Sequence, residues 1–165
     1  MLIALLSDTH DNAATTRAAI ELLRPHNPDA YLHAGDLVSP EMLDLFAGLN
    51  APFHLVLGNN EYDPAALHSR ASALGMSFHK QFADLTFAGK RLALMHGHEG
   101  TLLQRLLASG DYDYLIHGHT HLRRDERRGR TRIINPGALH RARTKSVALL
   151  DPAADSLRFL DMAQP

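Results

Sequence analysis

Five apolar runs in this chain each stop at a side chain able to hold a metal ion, and that repetition constrains the fold more than any other feature. Leu2 to Leu6 is followed by Asp8-Thr9-His10, Ala30 to His33 by Gly35-Asp36, and Phe53 to Leu57 by Gly58-Asn59. Arg91 to Met95 runs into His96, and Tyr114 to His117 into His119 and His121. Short continuous apolar runs suit strands buried on both faces. Loops just beyond the carboxyl ends of strands are where open α/β sheets place their ligand sites.

The segments between the runs agree with this. Ala13 to Arg24 reads as a helix with an apolar stripe, Asn12 placed to cap it, and Pro25 and Pro28 to end it. Pro40 to Ala47, after Ser39, and Pro64 to Leu74 read as two more helices. The first half is thus βαβαβα, the pattern of a mostly parallel sheet with covering helices.

The second half has a different character. Ala83 to Phe87 and Arg91 to Met95 form an expected hairpin around Ala88-Gly89-Lys90, followed by a helix over Gly100 to Ala108. Leu122 to Arg128 and Arg130 to Asn135 flank Gly129 as a charged hairpin, and Ser146 to Leu150 pairs with Leu157 to Asp161. These strands exceed what one parallel sheet would use, so two sheets packed face to face with helices outside are expected. The Arg-rich stretch Arg123 to Arg132 alternates with Asp and Glu and reads as a solvated sheet edge.

Composition removes several function classes. No cysteine is present, which excludes disulfides, thiolate zinc sites and a cysteine nucleophile. Lys plus Arg (17) balance Asp plus Glu (18), so affinity for nucleic acid or an anionic membrane is not indicated. No run approaches the roughly 18 apolar residues of a membrane span. Leu2 to Leu6 is too short, and lacks the basic flank, for a secretory leader. The expectation is a soluble, cytoplasmic protein with one domain over residues 1–165. Twelve histidines against no tryptophan is an unusual balance, and five of those histidines fall between His96 and His121.

Asp8 and His10 stand two apart, on one side of an extended segment, so both can converge on one ion. Gly35 and Gly58 let backbone approach the site closely. Taken with Asp36, Asn59, His96, His119 and His121, they form a mixed oxygen and imidazole set without sulfur. Such a set favours manganese, iron or zinc over calcium.

In these blocks, in this order and spacing, the chain resembles the calcineurin-like metallophosphoesterase superfamily, and within it the small YfcE-like phosphodiesterases, from Leu2 through Asn135-Pro136-Gly137. The resemblance implies a four-layer α/β/β/α sandwich with a dinuclear centre at the strand ends. It implies that Asp8, His10 and His121 hold one ion, that Asn59, His96 and His119 hold the other, and that Asp36 bridges both. Manganese is the implied activator, with iron, zinc or nickel as other ions such a site accepts. Two ions sharing a water would yield hydroxide near neutral pH and draw a small phosphate ester into line for hydrolysis. His10 would orient the attacking water or stabilise developing charge.

One departure bears on substrate. Many superfamily members read Gly-Asn-His-Asp or Gly-Asn-His-Glu, the histidine protonating the leaving alcohol. Here the residues are Gly58-Asn59-Asn60-Glu61, and Asn60 cannot titrate. Diesters and activated aryl esters are then the better expected substrates, and His98 is the candidate substitute acid. The catalytic set is therefore His10, Asp36 and His98. Other readings are a phosphomonoesterase, nuclease or nucleotide pyrophosphatase of the same fold, or a non-catalytic interaction module like the retromer subunit Vps29. The partners expected are a small phosphate ester, no membrane, and a possible second copy of the chain.

Overall fold

The first apolar run becomes β1 (Ile3–Leu6), and all four of its residues are buried, as a strand covered on both faces requires. The molecule, described here by a computed structural model, is described over residues 1–163. Along the chain follow α1 (Ala13–Leu23), β2 (Ala30–His33), β3 (Phe53–Val56), α2 (Pro64–Ala73), β4 (Ser77–His79), β5 (Phe82–Phe87) and β6 (Lys90–Met95). Then come α3 (Gly100–Ser109), β7 (Tyr114–Ile116), β8 (Arg124–Arg128), β9 (Thr131–Asn135), β10 (Ser146–Asp151) and β11 (Ser156–Asp161).

The strands form two sheets, ordered β11-β10-β1-β2-β3-β4 and β5-β6-β7-β9-β8. β1 to β4 are mutually parallel, as are β6, β7 and β9, while the remaining strands join antiparallel. Period-two alternation sorts the apolar side chains into three layers. Ile3, Leu5, Leu32 and Val56 face Leu92, Leu94, Ile116 and Ile134 between the sheets. Ala4, Leu6 and Leu55 point the other way, onto Leu23, Phe46 and Leu67 of the helical side. Ala93, Met95 and Leu115 of the second sheet pack on Leu106 of α3. Each such fully buried aliphatic side chain contributes about 1.5–3 kcal/mol. This is the expected four-layer α/β/β/α sandwich.

Three local features differ from the sequence expectation. Pro40–Phe46 is a 3-10 helix rather than an α-helix. β4 is a strand of only three half-buried residues, too short for any period to show. The charged strand β8 starts at Arg124, leaving Leu122 exposed on the loop after His121. The hairpin turn at Ala88-Gly89 has positive φ at both residues, the two-residue geometry that matches strand twist. No helix among the described residues is long and apolar enough to cross a membrane.

Candidate metal centre

Because β1, β2 and β3 are parallel, their carboxyl ends share one edge of the first sheet, and those of β6 and β7 share an edge of the second. Hydrogen bonds lock the two edges together. The His96 ring meets the Ala34 carbonyl at 2.8 Å and His119 donates its backbone N–H to Asp8 Oδ2 at 3.1 Å, while within the second edge Gly118 donates to the His96 carbonyl at 2.9 Å. Every residue expected from the sequence is brought to this junction.

Asp8 is fully buried, and its Oδ1 is the one buried side-chain polar atom without a hydrogen-bond partner among the described residues. It faces His121 Nε2 at 3.3 Å and His10 Nε2 at 3.8 Å, and the two imidazole nitrogens lie 3.4 Å apart. An orphaned buried carboxylate oxygen costs several kcal/mol unless a cation meets it. Burial raises the Asp8 pKa, opposed by the Ser7 hydrogen bond and by His96 and His121. Burial also disfavours the charged form of His10.

Beside this group stands a second one. His96 Nε2 lies 3.1 Å from Asn59 Oδ1 and 3.3 Å from Asp36 Oδ2. A neutral imidazole has one N–H, and Nδ1 spends it on the Ala34 carbonyl, so Nε2 aims its lone pair at two oxygens. Only a proton or a metal ion relieves that arrangement, and a ring fixed through its other nitrogen is the usual posture of a metal-ligating histidine. His119 completes the wall, its ring centroid 5.1 Å from that of His96. Asp36 Oδ2 also lies 3.4 Å from His10 Nε2, which places this carboxylate between the two groups. Burial works to raise the Asp36 pKa, but the hydrogen bond and charge that His96 supplies once Nε2 is protonated, the Asn60 amide and His10 outweigh it and hold the carboxyl well below the usual range. Geometrically, Asp8, His10 and His121 form one set able to hold an ion, and Asp8, Asp36 and His96 another.

The backbone carries strain here. Asp8, His10, Asp36, His119 and His121 all have positive φ, five of the seven expected ligands, and so does the β-branched Val38. Such residues cost about 1–3 kcal/mol each and persist only where surrounding structure enforces them. Close packing does so. A Cβ on Gly58 would fall 2.1 Å from Asp36 Oδ1, and one on Gly118 would fall 1.8 Å from Ser7 Oγ.

Several side chains support this centre from behind. Glu61 accepts from the backbone N–H groups of Leu37 and Gly58, both at 2.8 Å, and so ties the Asp36 loop to the Asn59 loop. Asn60 turns its side-chain amide onto Asp36 Oδ2 at 2.7 Å. Its backbone N–H and that of Asn59 donate to Oδ1. His33 is fully buried: it accepts from Gly35 N–H through Nδ1, so Nε2 donates to Thr9 Oγ1, and Thr9 donates on to the Asp36 carbonyl. Burial pushes its pKa down to about 3, with His96 adding to the effect. The buried Asn135 holds the 118–120 turn by donating to the Gly118 carbonyl and Thr120 Oγ1. His140, ring centroid 5.5 Å from that of His10, stands at the rim. His33 sits in an apolar run and His140 in no motif, so neither had a signal; Asn135 had one in the Asn135-Pro136-Gly137 block.

His98 lies on the Asn59 side, 5.4 Å from His96 and 6.2 Å from His119 between ring centroids, with its side chain 31% exposed beside Glu99. Burial and the neighbouring His96 lower its pKa. Asn12 caps α1, accepting from Thr15 N–H, and takes no part in the centre.

Comparison with known proteins places these features in a family context. The family description "Calcineurin-like phosphoesterase superfamily domain" matches residues 1–155. The chain is 33% identical over 138 residues to phosphodiesterase MJ0936 of Methanocaldococcus jannaschii, covering 83% of each chain. It is 28% identical to a probable metallophosphoesterase of Mycoplasma genitalium, covering 87% of this chain and 80% of that one. Among solved structures, an archaeal phosphodiesterase superposes with a TM-score of 0.91 at 29% identity, over 98% of this chain and 99% of the other. The E. coli phosphoesterase YfcE superposes at 0.71 and 20% identity, covering 99% and 100% of the two chains, and shares the fold. So does zinc-bound Vps29 of Entamoeba histolytica, at 0.71, 21% identity and the same coverage.

Proposed function

We propose, from the premise that the chain belongs to the calcineurin-like phosphoesterase superfamily, that it is a divalent-metal-dependent phosphodiesterase whose strand-end residues hold two ions. Asp8, His10 and His121 would hold one, Asn59, His96 and His119 the other, and Asp36 would serve both. The observation that carries this reading is the orphaned Asp8 Oδ1 facing two imidazole nitrogens within 4 Å. Two ions there would supply an activated water near neutral pH and positive charge for the phosphate oxygens, with manganese the expected activator.

The protein groups divide the remaining work. Asp8, Asp36 and His96 are buried, whereas His10, His119 and His121 reach solvent. A small phosphate ester therefore approaches over these three imidazoles, with the carboxylates behind them. His10, fixed between Asp36 and His121, is placed to orient the attacking water and to stabilise charge on the phosphate. Asn60 cannot donate a titrating proton, and its amide is already committed to Asp36. His98 is the remaining group on the Asn59 side able to protonate a leaving oxygen, although burial and the neighbouring His96 disfavour the cationic form that would donate. General-acid help is commonly worth about 10²–10⁴-fold, so diesters with acidic leaving groups suit this site better than alkyl monoesters. The residues expected at the centre are all present, which favours an enzyme over a Vps29-like scaffold.

Metal analysis of protein prepared without chelator should approach two ions per chain. Hydrolysis of bis(p-nitrophenyl) phosphate should exceed that of p-nitrophenyl phosphate and vanish with chelator. Asp36→Asn should lower both metal content and rate. A folded protein that takes up no manganese or zinc, or hydrolyses diesters indifferently to chelator, refutes the reading.

A further inference from the structure

Resting on the phosphodiesterase reading, we propose that the loop between Ala138 and Ser146 is a subsite for a second phosphate group on a small, nucleotide-like substrate. The loop is anchored at the centre. Leu139 donates its backbone N–H to the carbonyl of Ser7, the residue before Asp8, and Ser146 donates to Ala138 to close the loop at its base. From that base His140 reaches His10, ring centroids 5.5 Å apart. Beyond it come Arg141, Arg143 and Lys145, and Arg141 has φ 50°, so the chain turns sharply just after the rim histidine.

What marks this loop is its uncompensated charge. The arginines of the neighbouring hairpin are matched: Arg124 with Glu126, Arg127 and Arg132 with Asp155, and Arg132 also with Asp125. Arg141, Arg143 and Lys145 have no carboxylate partner among the described residues. They stand in a chain whose net formal charge is −1, where acidic partners are plentiful. The charges of Arg141 and Lys145 are felt at His140, where, with burial, they disfavour its cationic form. Three residues of chain span at most about 11 Å, so the Arg143 backbone stays within that distance of His140. Guanidinium groups suit phosphate because their N–H fork matches its oxygens. The scissile phosphodiester would occupy the centre and a further phosphate, one sugar away, the loop.

The reaction is ordinary hydrolysis: the oxygen of water joins phosphorus, the bond to the leaving oxygen breaks, and the water's proton passes to solvent. The test compares thymidine 5′-(p-nitrophenyl phosphate) with the same ester carrying a 3′-phosphate, in manganese, at low and high salt. Both release p-nitrophenolate. The wild-type protein should prefer the 3′-phosphorylated ester by about tenfold in kcat/KM at low salt, equivalent to about 1.4 kcal/mol, with the preference shrinking as salt screens the loop. In an Arg141→Gln/Arg143→Gln double variant the ratio should fall towards one, while Arg105→Gln, on the exposed face of α3, should retain it. A wild-type ratio near one, or a ratio that survives the double substitution, overturns the subsite while leaving the phosphodiesterase reading intact. Metal-loaded protein that hydrolyses neither ester, nor bis(p-nitrophenyl) phosphate, removes that reading and the subsite with it. Cleavage of a single-stranded oligonucleotide but of neither thymidine ester would assign the loop to a polynucleotide and overturn the small-substrate proposal.

Discussion

Replacing Gly58 by alanine isolates the part of the site that depends on close approach rather than on any ligand atom. The new methyl group would sit 2.1 Å from Asp36 Oδ1, 2.5 Å from the Asp36 backbone nitrogen and 2.8 Å from its Cγ. One of these is backbone, and the carboxylate is held by the N–H groups of Asn59 and Asn60, so neither can swing aside cheaply. Overpacking of this kind costs about 1–3 kcal/mol. In a domain of this size that is a fall of roughly 2–12 °C in Tm, at about 2–4 °C per kcal/mol. Because the group pushed away is the carboxylate that stands between the two candidate ligand groups, metal affinity should also fall, by the 10–100-fold typical of disturbed metal-site supports. Gly48 is the matched control, since a Cβ there meets nothing within 4 Å. Thermal unfolding in chelator measures the first effect, and titration with manganese or zinc the second. Should Gly58→Ala unfold and bind metal like Gly48→Ala, Asp36 is not held as described.

Acid sensitivity follows from the buried histidines. Burial, with Arg124 and His96 adding to it, depresses the His117 pKa to about 4, below an unfolded value near 6.5. The unfolded chain therefore binds the extra proton first as pH falls. The stabilisation is complete above about pH 6.5 and is lost on the way down to about pH 4, at about 1.4 kcal/mol per pH unit. Urea unfolding of metal-free His117→Gln should show a pH dependence shallower by about that amount, and an unchanged slope would show that His117 is not buried neutral. Asn60→His should raise the ratio of alkyl-monoester to bis(p-nitrophenyl) phosphate turnover, because only the poorer leaving group needs the new acid. Steady-state kinetics at matched metal content measures this, and a constant ratio from pH 5 to 8 would place residue 60 away from the leaving oxygen.

Strand identity and the candidate ligands were legible in the sequence because both are local. A buried strand must be continuously apolar, and a ligand at its end must be Asp, Asn or His, so Leu2–Leu6 with Asp8 and His10 announces itself without any partner. The four layers were legible through strand count and through resemblance to known proteins. Period and composition could not show which side chains the layers bring together. Glu61 holds Leu37 and Gly58 across 24 and 3 residues of chain, and Asn60 holds Asp36 across 24. Such contacts leave no periodic trace, because any hydrogen-bonding residue in a loop looks alike in sequence. The same holds for β4, whose three residues form a strand only because β3 offers an edge, and for the basic loop, whose charge gains direction only from the Leu139–Ser7 bond. Strand propensity and ligand chemistry belong to single residues and their neighbours. The aim of each candidate ligand and the strain that fixes it were decided by packing between segments distant in the chain, and became visible only when the two sheet edges met.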